Sequence, residues 1–360
     1  MIKNEKDSKY KEYQKRRRKK IQRSQTRKKS KIKQLRKSLE NKTSRKKHEI
    51  KKFKKYSEIH PPNNFSFLEN TEDVINFINK VESNYKKNKS VFINLENVEF
   101  IDYGAITVLL SVMTLFKSSN IKFNGNFPKN QNVRKKIVDS QFFNRIRETI
   151  FKEEEYTIVR KDQIFTKANK IVDPTLGYNI IKQSSETIWG EKKSCPGIQR
   201  VLLELMQNTH NHASIYPDNQ EYWWLSVNHD PEKKKVSFVF VDYGQGIFES
   251  LEKKPETSKW YNFSEKLKEK LKYGNRAEIL KLLLEGDLHM TVTGQNFRGK
   301  GLPGIMQVSK RNQISNLYII SNDVFADTNK NMYKMIRKKF QGTFLYWELC
   351  YNNEHKIWNI

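Results

Sequence analysis

Apolar residues recur at helix and strand spacing only beyond residue 60, where a Pro-Pro pair precedes the first patterned segment. Residues 71–81 place their apolar side chains on one helix face, and residues 91–95 form a short β-branched run typical of a buried strand. A helix over 105–116, a strand over 121–123 and a helix over 130–140 follow. This alternation predicts a small α/β domain over residues 63–150, with a parallel-type sheet and helices packed on it.

The second half of the chain carries a longer set of elements after a charged connector at residues 151–178. Pro196 opens a helix predicted over residues 197–213, and another helix is predicted over 276–285. Strands are predicted over residues 221–227, 235–242, 314–321 and 342–349. We therefore expect a mixed α/β protein with a second domain at residues 179–355.

Positive charge is concentrated at the N-terminus. The chain holds 69 Lys and Arg residues against 40 Asp and Glu residues. Residues 1–60 hold 26 of the basic and 6 of the acidic residues, so +20 of the net charge of +29 lies there. This basic segment has too few apolar residues to form a core and is predicted to be disordered or helical. Nucleic acid is the expected partner of residues 1–58, with an anionic membrane surface, an acidic protein or a purely solubilising role as alternatives.

Cysteine content and hydropathy restrict the compartment. The chain has only Cys195 and Cys350, which are far apart, so neither a disulfide framework nor a zinc site is expected. No apolar run is long enough to span a bilayer, and the basic N-terminus lacks the apolar stretch of a secretory signal. The sequence predicts a cytoplasmic protein without a membrane span.

Three polar residues line up on the predicted helix 197–213. Glu204, Asn208 and Asn211 follow one another at helical spacing, apart from the apolar face of the helix. An amide oxygen is a suitable Mg²⁺ ligand, and a carboxylate one turn away is able to orient or deprotonate water. Taken alone, the same column is also typical of the solvated face of an amphipathic helix.

Glycine-containing motifs follow at three further places. Asp242-Tyr-Gly244-Gln-Gly246-Ile247 comes directly after a strongly apolar strand, where glycines allow close approach of a ligand to the backbone. Residues 294–304 contain four glycines and two cations, a composition suited to phosphates although the spacing is not that of a Walker loop. Gly342-Thr343 opens the last strand. Each motif alone is weak, and a single Asp-x-Gly-x-Gly is more often a simple turn.

Together these motifs resemble, in order and spacing, the N box and glycine boxes of the GHKL (Bergerat-type) ATP-binding domains of gyrase, chaperone, mismatch-repair and histidine-kinase ATPases. The matching segments are Glu204-x-x-x-Asn208, Asp242-x-Gly244-x-Gly246, Gly299-x-Gly301 and Gly342-Thr343. The resemblance covers about half of the chain. It implies a two-layer α/β sandwich that binds ATP and Mg²⁺.

The resemblance also assigns roles to individual residues. Asp242 would bind the adenine amino group, with Thr343 supporting it through water. Asn208 would hold Mg²⁺ against the phosphates, and Glu204 would act as the general base or as the residue that orients water. The predicted ATP site is completed by Asn211, Ile247, Arg298, Gly299, Lys300 and Gly301, the last four as part of a lid over the phosphates.

Residues 91–115 resemble a STAS domain, the fold of anti-sigma-factor antagonists. The family's phosphorylatable Ser lies in an Asp-Ser-Ser-Gly setting, whereas this chain has Asp102-Tyr103-Gly104-Ala105 there. Phosphorylation of the family type is therefore not expected, although the helix start would still be able to receive an anion or a partner. The alternative is a generic α/β domain that packs on the ATPase and regulates it.

The resemblances favour an ATPase that acts as a nucleotide-driven conformational switch, with hydrolysis assisted by Glu204. One alternative is a serine/threonine protein kinase of the anti-sigma-factor type, which shares the same boxes. Another is a nucleotide-sensing binding module without catalysis. A protein partner or a homodimer is expected to form through the long lid at residues 248–297 and the STAS-like domain.

Overall fold

The structure, a computed structural model, contains both helices and strands, which confirms the predicted mixed α/β class. It describes residues 56–140, 142, 165–169, 172–211, 223–252, 275–286 and 301–353. The strands are β1 (Ser57–Ile59), β2 (Asn64–Phe65), β3 (Val91–Ile93), β4 (Phe100–Ile101), β5 (Phe123–Gly125), β6 (Phe165–Asn169), β7 (Trp223–Asp230), β8 (Lys235–Asp242), β9 (Ser315–Asp327) and β10 (Met332–Cys350). The helices are α1 (Thr71–Lys86), α2 (Tyr103–Ser118), α3 (Gln131–Asp139), α4 (Pro174–Trp189), α5 (Pro196–Asn211), α6 (Gly246–Glu252), α7 (Arg276–Glu285) and α8 (Gly301–Lys310).

Five strands form the central sheet, in the order β6–β7–β8–β10–β9. Each neighbouring pair is antiparallel. Along β8, Phe238 and Phe240 enter one apolar core, whereas Val239 and Val241 enter another. Since successive side chains of a strand point to opposite faces, both faces of this sheet are covered. The continuous apolar run of β8 follows from burial on both sides.

Helices α4, α5, α7 and α8 cover one face of the central sheet, which we call the helical face. Helix α5 packs between α4 and α8, and α8 also contacts α7. Phe238 and Trp347, on neighbouring strands, stack beneath these helices with ring centroids 5.1 Å apart. The helical face therefore forms a continuous apolar core with the predicted helix 197–213 at its centre.

Residues 56–140 and 142, which we call the upstream region, cover the opposite face of the central sheet. Helix α2 is buried along nearly its whole length and contacts β7 and β8, while α1 contacts β10. Phe67 and Phe344 approach to 4.5 Å between ring centroids. A Cβ at Gly104 would lie 2.9 Å from Phe344 Cζ, so this glycine allows α2 to approach the sheet closely. Residues of the two predicted globular domains thus share one core.

The upstream strands form two small sheets and not one. β1, β3 and β5 form a three-stranded sheet, and β2 pairs with β4. The pairs β3–β5 and β2–β4 are parallel, as the alternation of strands and helices predicted.

Local signals account for several helix ends. Asp173 caps α4 by accepting a hydrogen bond from the Leu176 amide at 2.9 Å, and Pro174 occupies the first turn. This helix begins inside the segment that the sequence predicted as a connector. Asn275 similarly caps α7, whose bounds match the predicted 276–285. The predicted strand 342–349 is the second part of β10, which continues from Met332 through register shifts between Met335 and Thr343.

Several predicted features lie outside the described residues: most of the basic segment 1–60, residues 151–164 of the connector, and Arg298, Gly299 and Lys300 of the glycine-rich loop. Among the helices that the structure describes, none has the length and apolarity that a bilayer crossing requires.

Candidate functional site

Asp242 ends β8 and lies between two neighbouring strands. It pairs with Thr343 of β10 on one side and with Trp223 of β7 on the other. Directly opposite residues of an antiparallel pair project to the same face. Because Trp223 belongs to the core of the helical face, the side chains of Asp242 and Thr343 project to that face as well. Two residues predicted to bind adenine are therefore adjacent.

The turn after β8 has a conformation that needs glycine. Gly246 has φ +71°, and a Cβ there would lie 2.5 Å from Oδ1 of Asn322. The Asn322 side chain fixes the turn from both sides, since Nδ2 donates to the Gln245 carbonyl at 2.9 Å and Oδ1 accepts from the Phe248 amide at 3.1 Å. The second glycine of the Asp-x-Gly-x-Gly motif is thus required by the protein's own packing.

Ser321 connects three segments beneath this turn. Its hydroxyl donates to the Gly342 carbonyl at 3.0 Å and accepts from the Ile247 amide at 2.9 Å. The Thr343 hydroxyl lies 3.2 Å from Ser321 Oγ. Since Ser321 uses its only hydrogen on Gly342, Thr343 is the donor in this third contact. No described residue donates to the Thr343 oxygen, so its lone pairs are able to accept a hydrogen bond from a ligand.

Gly342 brings β10 against the end of β8. Its φ is +124°, and a Cβ at this position would lie 1.9 Å from the Asp242 carbonyl oxygen. No side chain fits that space, so the glycine sets the separation of the two strands where Asp242 and Thr343 are paired.

Helix α5 carries the remaining polar candidates on the same side of the sheet. Leu202, Leu205 and Met206 enter the core, whereas Glu204 and Asn208 are half-buried beside it. Their position on the flank of the helix agrees with the predicted polar column. Asn211 is the last residue of α5, and its side chain lies outside the described part of the chain.

Gly301 is the first residue of α8, directly after the predicted phosphate loop. The amides of a helix start bind anions readily, and α8 packs against α5, which carries Asn208. The cations predicted to accompany this loop, Arg298 and Lys300, lie outside the described residues. Within the described ranges, no three His, Cys, Asp or Glu residues are grouped as a metal site.

Comparison with known proteins does not assign the chain to a family. No family model matches it. No curated protein matches it either. The GHKL and STAS resemblances therefore stay predictions that rest on the motifs.

The start of α2, where the sequence suggested that an anion would bind, is capped by Asp102. The Asp102 carboxylate caps this helix by accepting from the Ala105 amide at 2.6 Å, and it also accepts from the Ser66 hydroxyl at 2.6 Å and the Leu68 amide at 3.3 Å. Burial raises the pKa of Asp102, although these hydrogen bonds act in the opposite direction. The protein's own carboxylate already caps this helix start, which opposes the binding of an external anion there. The other expectation, that the helix start receives a partner, stays a prediction.

Sequence reasoning missed Ser321 and Asn322, which hold the site together. Their signal in the sequence is slight: they begin a polar run of three residues, Ser321 to Asp323, between apolar strand segments. Asn322 has φ +53° although it lies within β9, a conformation that Asn tolerates better than most residues. Only the pairing of β9 with β10 brings these side chains under the turn after β8.

Proposed function

We propose that the protein binds ATP with Mg²⁺ on the helical face, and that the central sheet with α4, α5, α7 and α8 is the two-layer sandwich of a GHKL domain. The observation that carries the proposal is the pairing of Asp242 with Thr343 on the face that also carries Asn208. The Asp242 carboxylate would accept a hydrogen bond from the adenine amino group. Thr343 would contribute a hydroxyl beside it.

The donor types on α5 fit the other end of the nucleotide. The Asn208 side chain offers a neutral oxygen of the kind that Mg²⁺ accepts, and the Glu204 carboxylate would orient or deprotonate a water molecule. Bound Mg²⁺ would neutralise phosphate charge. The residues from Arg298 to Gly301 would close over the phosphates, with the start of α8 supplying backbone amides.

The packing behind the site favours a conformational switch as the use of the nucleotide. Asp242 projects to the helical face, whereas the next residue, Tyr243, belongs to the core with the upstream region. The Tyr243 hydroxyl donates to the Val108 carbonyl of α2 at 3.3 Å. A movement of this turn on nucleotide binding would therefore be transmitted to α2. Phosphotransfer to a partner protein and nucleotide sensing without catalysis are the alternatives that the turnover experiments separate.

Binding is tested by calorimetric titration of the full chain with a non-hydrolysable ATP analogue, with and without Mg²⁺. We expect Asp242→Asn to weaken binding at least tenfold, because an amide presents only one acceptor atom together with an NH₂ group that faces the adenine amine. Asp139→Asn, an exposed residue at the end of α3, is the matched control. Absence of binding by the unmodified chain, or equal affinity of the two variants, would remove the proposal.

Hydrolysis is tested separately with Glu204→Ala. We expect this variant to keep analogue binding and to lose Mg²⁺-dependent phosphate release, because Glu204 lies one turn from Asn208 and acts on water. Full turnover by the variant would contradict this role. Radioactive phosphate appearing on a partner protein and not in solution would favour the kinase alternative.

We also propose that residues 1–58 contact nucleic acid. Removal of this segment should lower affinity for both single- and double-stranded oligonucleotides and flatten the dependence of affinity on salt, because each neutralised phosphate contributes about 0.9 to the slope on duplex DNA. An unchanged affinity and slope would exclude this segment as the binding element.

A further inference from the structure

A cavity lies beside the turn that follows β8, on the side of α1. Its volume is about 480 Å³, within the usual range for small-molecule sites, and it lies between α1 and the segments around Gln245 and Lys339. The upstream region supplies one wall and the C-terminal half supplies the other. Asp242 and Thr343, which project to the helical face, do not line it.

The inner part of the cavity contains a carboxyl oxygen to which no described residue donates a hydrogen bond. Glu82 is 4% exposed, and its Oε1 has no hydrogen-bond partner among the described residues. Burial raises the pKa of Glu82 to about 7, and the nearby Lys86 only partly offsets this effect. A buried oxygen without a hydrogen-bond donor destabilises the folded state, so this position favours a ligand that supplies a donor.

The mouth of the cavity is positively charged. Three exposed lysines line it: Lys86, Lys87 and Lys339. Apart from the buried Glu82, Glu249 is the one acidic residue of the lining. Lys339 forms an ion pair with Glu249, and Lys86 donates to Gln341 at 3.4 Å. Since the Glu82 pKa is about 7, this carboxyl is half-protonated near neutral pH, and the lining carries a surplus of between one and two positive charges. A phosphate monoester, with a charge of about −1.5 to −2 at neutral pH, matches this surplus better than a carboxylate.

We propose that this cavity binds a small phosphate monoester that also carries hydroxyl groups, as a sugar phosphate does. A ligand hydroxyl would donate to Glu82 in the interior, and the phosphate would lie at the mouth near Lys86 and Lys87. The two ends of such a molecule match the two ends of the cavity. The cavity uses none of the residues on the helical face, and it shares with the proposed nucleotide site only the turn after β8, through Gln245 and Asn322.

The test is calorimetric titration of the full chain with ribose 5-phosphate and glycerol 3-phosphate, compared with ribose and with inorganic phosphate. We expect at least one of the two esters to bind ten times more tightly than either single-function probe, since only the esters engage both ends of the cavity. Inorganic phosphate also measures any binding by the basic N-terminal segment. Failure of both esters to exceed inorganic phosphate would overturn the proposal.

Variants locate the binding. Glu82→Leu, which removes the acceptor, should weaken ester binding at least tenfold, whereas Glu82→Gln, which keeps an oxygen, should stay within about threefold. Lys87→Gln should weaken binding while Lys89→Gln, exposed on the same segment but outside the cavity, should not. If Glu82→Leu fails to fold, the lysine pair still decides, and equal affinity of the two lysine variants would refute the assignment.

Asp242→Asn separates this cavity from the nucleotide site. Ester affinity should be unchanged in that variant even where binding of the ATP analogue is lost. Loss of both would mean that the esters occupy the helical face, and the second site would be abandoned. Retained ester binding in a chain that binds no ATP analogue would leave this inference standing while the proposed function fails.

Discussion

Replacement of Glu82 by Gln should stabilise the protein in a pH-dependent way. The Glu82 pKa is about 7 in the folded state and 4.5 as the ordinary value, so between these values the folded protein holds a proton that the unfolded chain releases. The wild-type protein therefore loses stability as pH rises from 4.5 to 7, and the loss is complete above 7. A difference of about 2.5 pKa units corresponds to about 3 kcal/mol of unfolding free energy. Gln is neutral in both states and has no such dependence.

The assay is urea unfolding of both full-length proteins at pH 4.5 and pH 8, followed by circular dichroism. We expect nearly equal unfolding free energies at pH 4.5 and a Gln variant that is more stable by about 3 kcal/mol at pH 8. Glu232→Gln, in the exposed turn between β7 and β8, is the control and should show no comparable change between the two pH values. If Glu82→Gln gives no gain at pH 8, or an equal gain at both pH values, the carboxyl is not held in an apolar environment and the reasoning is refuted.

Two further predictions concern the packing around the site, and a third concerns His229 near the far end of β7. Gly342→Ala should destabilise the fold by about 3 kcal/mol or more, because its Cβ would collide with the Asp242 carbonyl. The control, Gly190→Ala, has open space around it and should cost only about 1 kcal/mol. Thermal denaturation compares the two variants. Ser321→Ala should cost about 1–3 kcal/mol and weaken binding of the ATP analogue, since it removes the buried donor to the Gly342 carbonyl. Unchanged analogue affinity would show that Ser321 is not needed for the site. Burial lowers the pKa of His229 from 6.5 to about 4, so the folded protein should lose stability as pH falls through this interval. In urea unfolding, the free energy of unfolding of His229→Gln should fall by up to about 3 kcal/mol less than that of the wild type over the same interval. Equal falls in the two proteins would contradict this assignment.

Much of the helical face could be predicted from local sequence. The apolar run of β8 ends at Asp242 in both the prediction and the structure, because burial on both faces gives an uninterrupted pattern that stops where the strand stops. Helix α7 was predicted with its correct bounds, since Asn275 caps it and Gly286 ends it in the left-handed conformation. Such signals depend on residues within a few positions of one another.

The arrangement of the site depended on contacts that local patterns do not contain. Ser321 and Asn322 lie more than 70 residues from the turn that they hold, and their role appears only when β9 pairs with β10. The register of β10 against β8 also decides which residue faces Asp242. A displacement by one residue would turn Thr343 to the opposite face, and no short-range pattern records that choice.

The position of the upstream region was equally hidden, and it bears on how function is to be tested. Helix α2 was predicted as apolar, but the surface that it covers includes Val239, Val241 and Phe344 of the central sheet. Removal of the upstream region would expose these residues as a contiguous apolar face, which favours aggregation. Loss of activity in such a truncated chain would then reflect damage to the shared core and not the loss of regulation. A regulatory role of α2 is better tested by replacing Tyr243, because its hydroxyl donates to a carbonyl of that helix.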